Sequence, residues 1–501
     1  MAVATLNTEG ASETDVVVVG GGPGGSTLAT LVAMHGHQVV LLEKEKFPRW
    51  QIGESLLPAT VHGVCRLTGV ADELAKAGFT KKRGGTQRWG ANPEPWTFAF
   101  SISSKLTGET SYAYQVERGK FDKILLDHAR SMGVDVREQH TVTKVISSDG
   151  RVRGVSYTDA AGNAGELRAK YVVDASGNKS RIYQQAGTVR EYSEFFRNLA
   201  LFGYFAGGKR LPAPNSGNVL SCAFDSGWFW YIPLTPELTS VGAVVRHDLA
   251  SKIQGDPEEA LLALIAECPM ISDYLRDAKR VTEGEYGQLR VRKDYSYRNT
   301  KFWCPGMVLV GDAACFVDPV FSSGVHLATY GALLAARSIN SVLGTTVEEE
   351  VAFREFERRY RREFGVYYEF LTAFYDLNAN EDSYFWSAKK VTKTTSSELE
   401  SFVELVGGVS SGEAALASAE ALTERYKSRS REFARAVDEL VANKEQSMVP
   451  VVKSSVVKHA MQEGAREQTR AVLGEDAGPA TPLFKGGLVP SEDGLSWSVP
   501  G

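Results

Sequence analysis

The sequence predicts an α/β protein: a Rossmann-type dinucleotide-binding domain with an inserted antiparallel sheet and a C-terminal helical region. Three observations predict it. Residues 15–43 read as strand, glycine turn, helix and strand. Alternating, aromatic-rich stretches fill 80–115 and 195–290. From about Gly324 onward the apolar residues fall at helical spacing.

Each element has a local reason. DVVVV is apolar throughout, as a parallel strand covered on both faces must be. GGGPGGS turns the chain, TLATLVAMHG is a helix ending at Gly36, and HQVVLLE is the next strand. YVVDASG (171–177) and MVLVGDAACF (307–316) are further apolar strands, each ending in a turn. VLSCAFDSGWFWYIPL and SVGAVVR alternate, which suits a second, antiparallel sheet. VHLATYGALLAARSINSVL is one helix. A second, from Val351, carries Phe353, Phe356, Tyr360, Phe364, Tyr367 and Phe374 as an apolar stripe. Residues 410–445 continue as charged helix, and the Gly/Pro/Ser-rich tail after about Glu475 runs over the surface, pinned in part by Phe484, Leu495 and Trp497. The expected units are therefore 12–190 with 285–345, then 191–284, 346–445 and 446–501, with 80–115 serving the substrate side.

Composition narrows the class. A chain of 501 residues is too long for one simple core. A net charge of −5 gives no footprint for nucleic acid. Five cysteines, with no CxxC pair, argue against a disulfide framework or a zinc site. No basic leader and no long apolar run precede or interrupt the chain, so a cytoplasmic protein without a membrane partner is expected.

The first site is a dinucleotide site. Gly20 permits a tight turn, Gly22 lets backbone approach a pyrophosphate, and Gly25 lets helix pack on strand. The helix N-terminus offers free N–H groups to an anion. Glu43, 18 residues past Gly25, can accept from a ribose hydroxyl. Asp312 ends a strand before a helix, where it suits a ribose or ribitol hydroxyl or a helix N-cap. Arg118 begins a helix, where it suits a phosphate or a surface ion pair. No second GxGxxG occurs.

GGGPGGS followed by Glu43, the arginine of VERGKFDKILL, DASG and GDAACFVDP together resemble the flavin monooxygenases. The resemblance implies FAD in an aromatic-hydroxylase-class domain, held by Gly20, Gly22, Gly25, Ser26, Glu43, Lys44, Arg49, Ser55, Arg118, Asp174, Asp312 and Gly324. Three more motifs, GWFWYIP (227–233), FPRWQIGESLLP (47–58) and FVDPVFSSGVHLA (316–328), resemble the flavin-dependent halogenases across most of the first 390 residues. GESLLP, KKRGG and DPVFSSGVHLA look like the branch acting on phenolic or pyrrolic groups tethered to carrier proteins.

That resemblance implies FADH2 from a separate flavin reductase, O2 and chloride or bromide. A flavin hydroperoxide would oxidise halide to hypohalous acid, and an active-site lysine would hold it. Ser323 and Gly324 are the implied halide site, though a serine here can equally be a helix N-cap. Lys82 matches the family's lysine position in GFTKKRGG, which otherwise reads as a solvated basic turn. Trp228 and Trp230 would separate flavin from substrate, or simply fill a core strand. Asp294 is a candidate for a covalent flavin bond. Arg354, Arg358, Arg359, Arg361 and Arg362 form either a face for an acidic carrier protein or a solvated helix laced with glutamates. The implied reaction is chlorination of a carrier-bound phenol in secondary metabolism. The rivals are an aromatic hydroxylase and a flavin reductase of isoprenoid chains.

Overall fold

The computed structural model describes residues 13–89, 94–103, 106, 108–293, 296–379, 396–409, 411, 413–416 and 482–500. The first sheet runs Trp303–Cys304, Met307–Leu309, Ala164–Asp174, Glu13–Val19, Val39–Glu43, Asp135–Glu138. From Met307–Leu309 to Asp135–Glu138 all neighbours are parallel. Val16, Val17, Val18, Leu41 and Val172 are fully buried, which explains the absence of alternation. Arg151–Thr158 and Thr141–Ser148 extend this sheet as antiparallel strands beside Ala164–Asp174.

The glycine turn is shorter than its glycines suggest. Helix Pro23–Met34 starts inside GGGPGGS, with proline at its first position, where a missing N–H costs nothing. Gly20 takes φ +104, a conformation that a side chain disfavours. A Cβ on Gly25 would lie 1.9 Å from the Gly20 carbonyl oxygen.

The second sheet runs Lys279–Arg280, Leu199–Ala206, Leu238–Val245, Gly227–Pro233, Val219–Phe224, Gly84–Arg88, Trp96–Ala99. It is antiparallel except where Gly84–Arg88 meets Val219–Phe224 in parallel. No hairpin fixes the direction of two strands so far apart in sequence, so alternation could not reveal that pairing. The strand Gly227–Pro233 is buried on both faces. Trp228 and Trp230 face the main core, while Phe229 and Tyr231 face a second core under helix Pro257–Ala266.

Helices Ser323–Leu343 and Glu349–Ala379 pack against each other. The aromatic stripe of the second is buried throughout. Its arginines do not form a free basic face. Arg359 is buried against Glu355 and the Leu488 carbonyl, and Arg361 binds Glu357 and the carbonyls of Asn299 and Thr300. Arg354 pairs with Glu350, and Arg358 lies over the Phe484 ring. The i,i+4 glutamates and the returning tail consume the charge that a docking face would need.

The tail is pinned as expected. Trp497 is 1% exposed; its indole N–H donates to Ser338, and its ring lies near Arg337 and Arg359. The helix expected over 410–445 and Asp294 lie outside the described residues, apart from short pieces at 411 and 413–416. Among the described residues, no helix is long and apolar enough to cross a membrane. All five cysteines are free thiols.

Candidate active site

Two hollows meet where the two sheets adjoin. The larger is an open cleft of about 1770 Å³ at the carboxyl ends of the parallel strands, where open α/β sheets place their ligands. Gly20, Gly22, Glu43, Lys44, Arg49, Arg118, Asp312 and Gly324 all line it.

The polar groups of this cleft are held in place before any ligand arrives. Glu43 Oε2 accepts from the Gly21 N–H at 2.6 Å, and Oε1 accepts from the Glu45 N–H at 2.8 Å. Asp122 is fully buried and accepts from both Arg49 and Arg118 at 2.7 Å. Arg118 also donates to the carbonyls of Ile52 and Gly53, so much of its donor set fastens the 47–58 segment. Asp312 lies inside the short helix Gly311–Ala313, whose N-cap position is Val310, and burial pushes its carboxyl up to about 6. Lys44 is exposed beside Glu45 at 3.8 Å.

Four residues expected at the cofactor, Gly25, Ser26, Ser55 and Asp174, do not line the cleft. Ser26 is buried and donates its hydroxyl to the Gly21 carbonyl at 2.9 Å. Asp174 is fully buried and accepts from the Ser176 N–H and hydroxyl and from Ser180. Its oxygens shape the loop 175–179, and the loop lines the cleft in its place. Ser55 lines the second hollow.

The cleft fits a dinucleotide. Helix Pro23–Met34 carries no side-chain cap and no acidic residue in its first turn, leaving its N–H groups to an anion. The close approach at Gly25 keeps that helix against the strand.

The second hollow is smaller, about 580 Å³, and lies inward of the first. Ile52, Gly53, Trp230, Phe316, Pro319, Gly324 and Val325 border both, whereas Trp228, Ser55, Glu54 and Ser221 belong to the inner one. Trp230 therefore stands in the partition. A Cβ on Gly242 would strike its ring at 2.2 Å, so that glycine makes room for the indole. Trp230 Nε1 donates to Ser240 at 3.2 Å, and Trp228 Nε1 donates to the Tyr375 hydroxyl at 2.6 Å.

Lys82 is on the strand Thr80–Lys82 and is 3% exposed. Its ammonium donates to the Leu56 carbonyl at 3.0 Å and to Ser322 Oγ at 3.4 Å, and lies 5.6 Å from the Phe100 ring centroid. Burial lowers its pKa to about 7, because no countercharge offsets the loss of water. Ser322, at φ +61, precedes helix Ser323–Leu343 without capping it. Its hydroxyl meets Lys82 instead. Ser323 Oγ is buried and unpartnered, so neither serine caps the helix with its side chain. The first N–H groups of the helix, Ser323 and Gly324 among them, are left for an anion.

Sequence reasoning missed two carboxyls. Glu54, in the GES motif, accepts from the Tyr204 hydroxyl at 2.8 Å, and burial pushes it up to about 7. Asp318, in FVDPVF, accepts from the Val320 N–H and from the Tyr375 hydroxyl, each at 3.1 Å, and burial pushes it to about 7 as well. Tyr375 thereby ties Trp228 to the turn that carries Ser322. A carboxylate inside an otherwise apolar run is the signal that could have marked Asp318.

Known proteins share this fold. The family described as Tryptophan halogenase matches residues 15–109 and 101–454, and the chain belongs to that family. It is an FAD-dependent halogenase, an oxidoreductase that uses FADH2, halide and O2. Such enzymes take their reduced flavin from a separate reductase. A tryptophan 2-halogenase of Chondromyces crocatus is 34% identical over 383 residues, 76% of this chain and 71% of that protein. The 1H-pyrrole-2-carbonyl-[peptidyl-carrier protein] chlorinase of Pseudomonas fluorescens is 32% identical, covering 73% of this chain and 84% of that protein. Among solved structures, the myxobacterial chondrochloren halogenase CndH is 50% identical with a TM-score of 0.74, covering 97% of this chain and all of that one.

Proposed function

We propose that the enzyme chlorinates an electron-rich aromatic ring, a phenol held as a thioester on an acyl or peptidyl carrier protein. One observation carries the mechanism: Lys82 is buried, lines no part of the cleft, and touches Ser322, a residue of the smaller hollow whose wall Trp230 shares with the cleft.

The reduced flavin, when bound, supplies the oxygen-derived oxidant that converts halide to hypohalous acid. Gly20, Gly22, Glu43, Arg49 and Asp312 would hold it along the cleft. The N–H groups of Ser323 and Gly324 would hold the halide. Trp230 keeps an aromatic substrate out of the cleft. Lys82, with its pKa near 7, supplies an amine in the working pH range; it holds hypohalous acid by a hydrogen bond or takes the halogen on nitrogen with loss of water.

The substrate class rests on two supports. The carrier-protein chlorinase from Pseudomonas fluorescens aligns over 84% of its length. Among the described residues, the ammonium of Lys82 pairs with a carbonyl and a hydroxyl rather than a carboxylate. A phenol stabilises the cationic intermediate with its own oxygen and needs no carboxylate there. The test supplies FADH2, O2 and chloride or bromide with a carrier-bound phenol, the free phenolic acid or free tryptophan. Halogenated carrier-bound phenol is expected by mass spectrometry. Preferential halogenation of free tryptophan would overturn the substrate assignment.

A further inference from the structure

Two cysteines that the mechanism does not use meet in the second core. Cys222 is on the strand Val219–Phe224, whose Val219 and Ser221 line the inner hollow. Its own side chain lies on the opposite face, in the core that also holds Phe229, Ile271 and Cys268. The sulfurs of Cys222 and Cys268 share a hydrogen bond at 3.5 Å, although the residues are 46 positions apart. A second contact holds them together. Glu267, which precedes Cys268, accepts at 2.7 Å from Ser226, in the turn between the strands Val219–Phe224 and Gly227–Pro233. Thiols already in contact need little backbone movement to bond.

The two sulfurs are unequal. The Cys222 thiol, the N–H groups of Ile271 and Met270 and the charge of Arg88 hold the Cys268 thiol below its ordinary range, against the effect of burial. Its partner and burial push the Cys222 thiol up. Cys65, by contrast, is pushed up to about 12 by burial alone. An acidic thiol beside a second thiol is the arrangement of an attacking and a resolving cysteine. Cys268 is 1% exposed, but Glu267 and Pro269 on either side of it are exposed, so it lies just beneath the surface.

We propose that Cys222 and Cys268 form a reversible disulfide that consumes hydrogen peroxide. Peroxide arises whenever reduced flavin reacts with O2 without oxidising halide, so the proposal needs the flavin chemistry of the family and not the assigned substrate. The Cys268 thiolate attacks one peroxide oxygen. The O–O bond breaks, an S–O bond forms, and the departing hydroxide leaves as water with the proton that Cys268 gave up. The Cys222 sulfur then attacks the sulfenic acid of Cys268. The S–O bond breaks, the S–S bond forms, and a second water leaves with the Cys222 proton. The two thiols lose two electrons and peroxide gains them; a dithiol reductant restores both thiols by exchange. The bond ties the turn before helix Pro269–Tyr274 to a strand of the inner hollow's wall.

The test treats the reduced, folded chain with excess hydrogen peroxide, blocks the remaining thiols with iodoacetamide in denaturant and maps the cysteines by mass spectrometry. A cross-link between Cys222 and Cys268 is expected, reversed by dithiothreitol, with Cys65 and Cys315 still alkylated. Cys222→Ser should leave Cys268 as a sulfenic acid that dimedone captures, and Cys268→Ser should leave Cys222 unoxidised. Wild type alone supplies a second readout. The cross-linked chain should unfold at higher urea than the reduced chain, because the bond closes a long loop in the unfolded state, and reduction should restore the midpoint. Cys222 and Cys268 both alkylated after peroxide overturn the proposal. So does a cross-link that forms only in urea, or one that joins either residue to a different cysteine. A midpoint that falls on cross-linking overturns it too, since the bond would then distort the fold.

Discussion

The cleft and the inner cavity adjoin, yet they are built on opposite principles. The cleft is charged, and its charges are already engaged: Arg49 and Arg118 grip Asp122, and backbone N–H groups grip Glu43. The inner cavity is mostly apolar, with a buried amine next to one of its lining residues. A large polar ligand is best met by donors fixed in advance, since little ordering remains to be done on binding. A small reactive one is best kept where water and stray nucleophiles are few. The difference means that each hollow can be damaged without the other.

The largest effect should come from Lys82→Ala. Halogenation should fall at least about a hundredfold, while oxidation of bound reduced flavin continues. Product by mass spectrometry and flavin absorbance in stopped flow separate the two. Normal halogenation by this variant would remove the amine from the mechanism and erase the contrast between the hollows.

Gly25→Ala strikes the other side. Its new Cβ would meet the Gly20 carbonyl oxygen at 1.9 Å, so the helix must back away from the strand. Overpacking of this kind costs about 1–3 kcal/mol. Flavin affinity, read by fluorescence quenching, should fall about tenfold or more by the same energy. The environment of Lys82 should persist. Unchanged flavin affinity would mean that the glycine turn does not set the cofactor site.

Trp230→Phe should act on the partition itself. It removes the indole N–H bond to Ser240 and part of the ring that fills the space above Gly242. The lost hydrogen bond is worth about 1 kcal/mol, so folding should survive. Coupling should not: the ratio of halogenated product to flavin oxidised should fall severalfold. Equal coupling in variant and wild type would make Trp230 a packing residue only.

The two hollows were also unequally legible. The cleft could be read from sequence because GGGPGGS and Glu43 lie within one strand–helix–strand unit, where local geometry follows from residue type. The inner cavity draws on residues 52–55, 219–232 and 316–325, segments far apart in sequence that no local pattern brings together. Resemblance singled out Lys82, Trp228 and Trp230 as catalytic candidates, and it placed Ser55 at the cofactor, whereas Ser55 lines the inner hollow. Asp174 illustrates the reverse error. A strand-end aspartate suits a cofactor hydroxyl, but Ser176 and Ser180 had already claimed its oxygens. Partners close in sequence can satisfy a carboxylate as well as a ligand does, and residue type alone does not distinguish the two.

The smallest effect concerns Asp318, which joins the turn carrying Ser322 to Trp228 through Tyr375. Burial raises its carboxyl from 3.8 to about 7. Between those values the folded chain keeps a proton that the unfolded chain has lost, so this group's contribution to stability declines as pH rises. Asp318→Asn keeps an acceptor for the Tyr375 hydroxyl and removes the titration. Urea unfolding of both proteins from pH 4 to 8 should therefore show wild type losing ground to the variant as pH rises, with the change largely complete above about pH 7. Lys82 carries the opposite sign: its pKa falls from 10.5 to about 7, so its contribution grows with pH across that interval. It is common to both proteins and cancels in the comparison. A difference that stays flat from pH 4 to 8 would show that Asp318 is ionised in the folded state, and the Trp228–Tyr375–Asp318 chain would then be anchored by a charge rather than by a neutral acid.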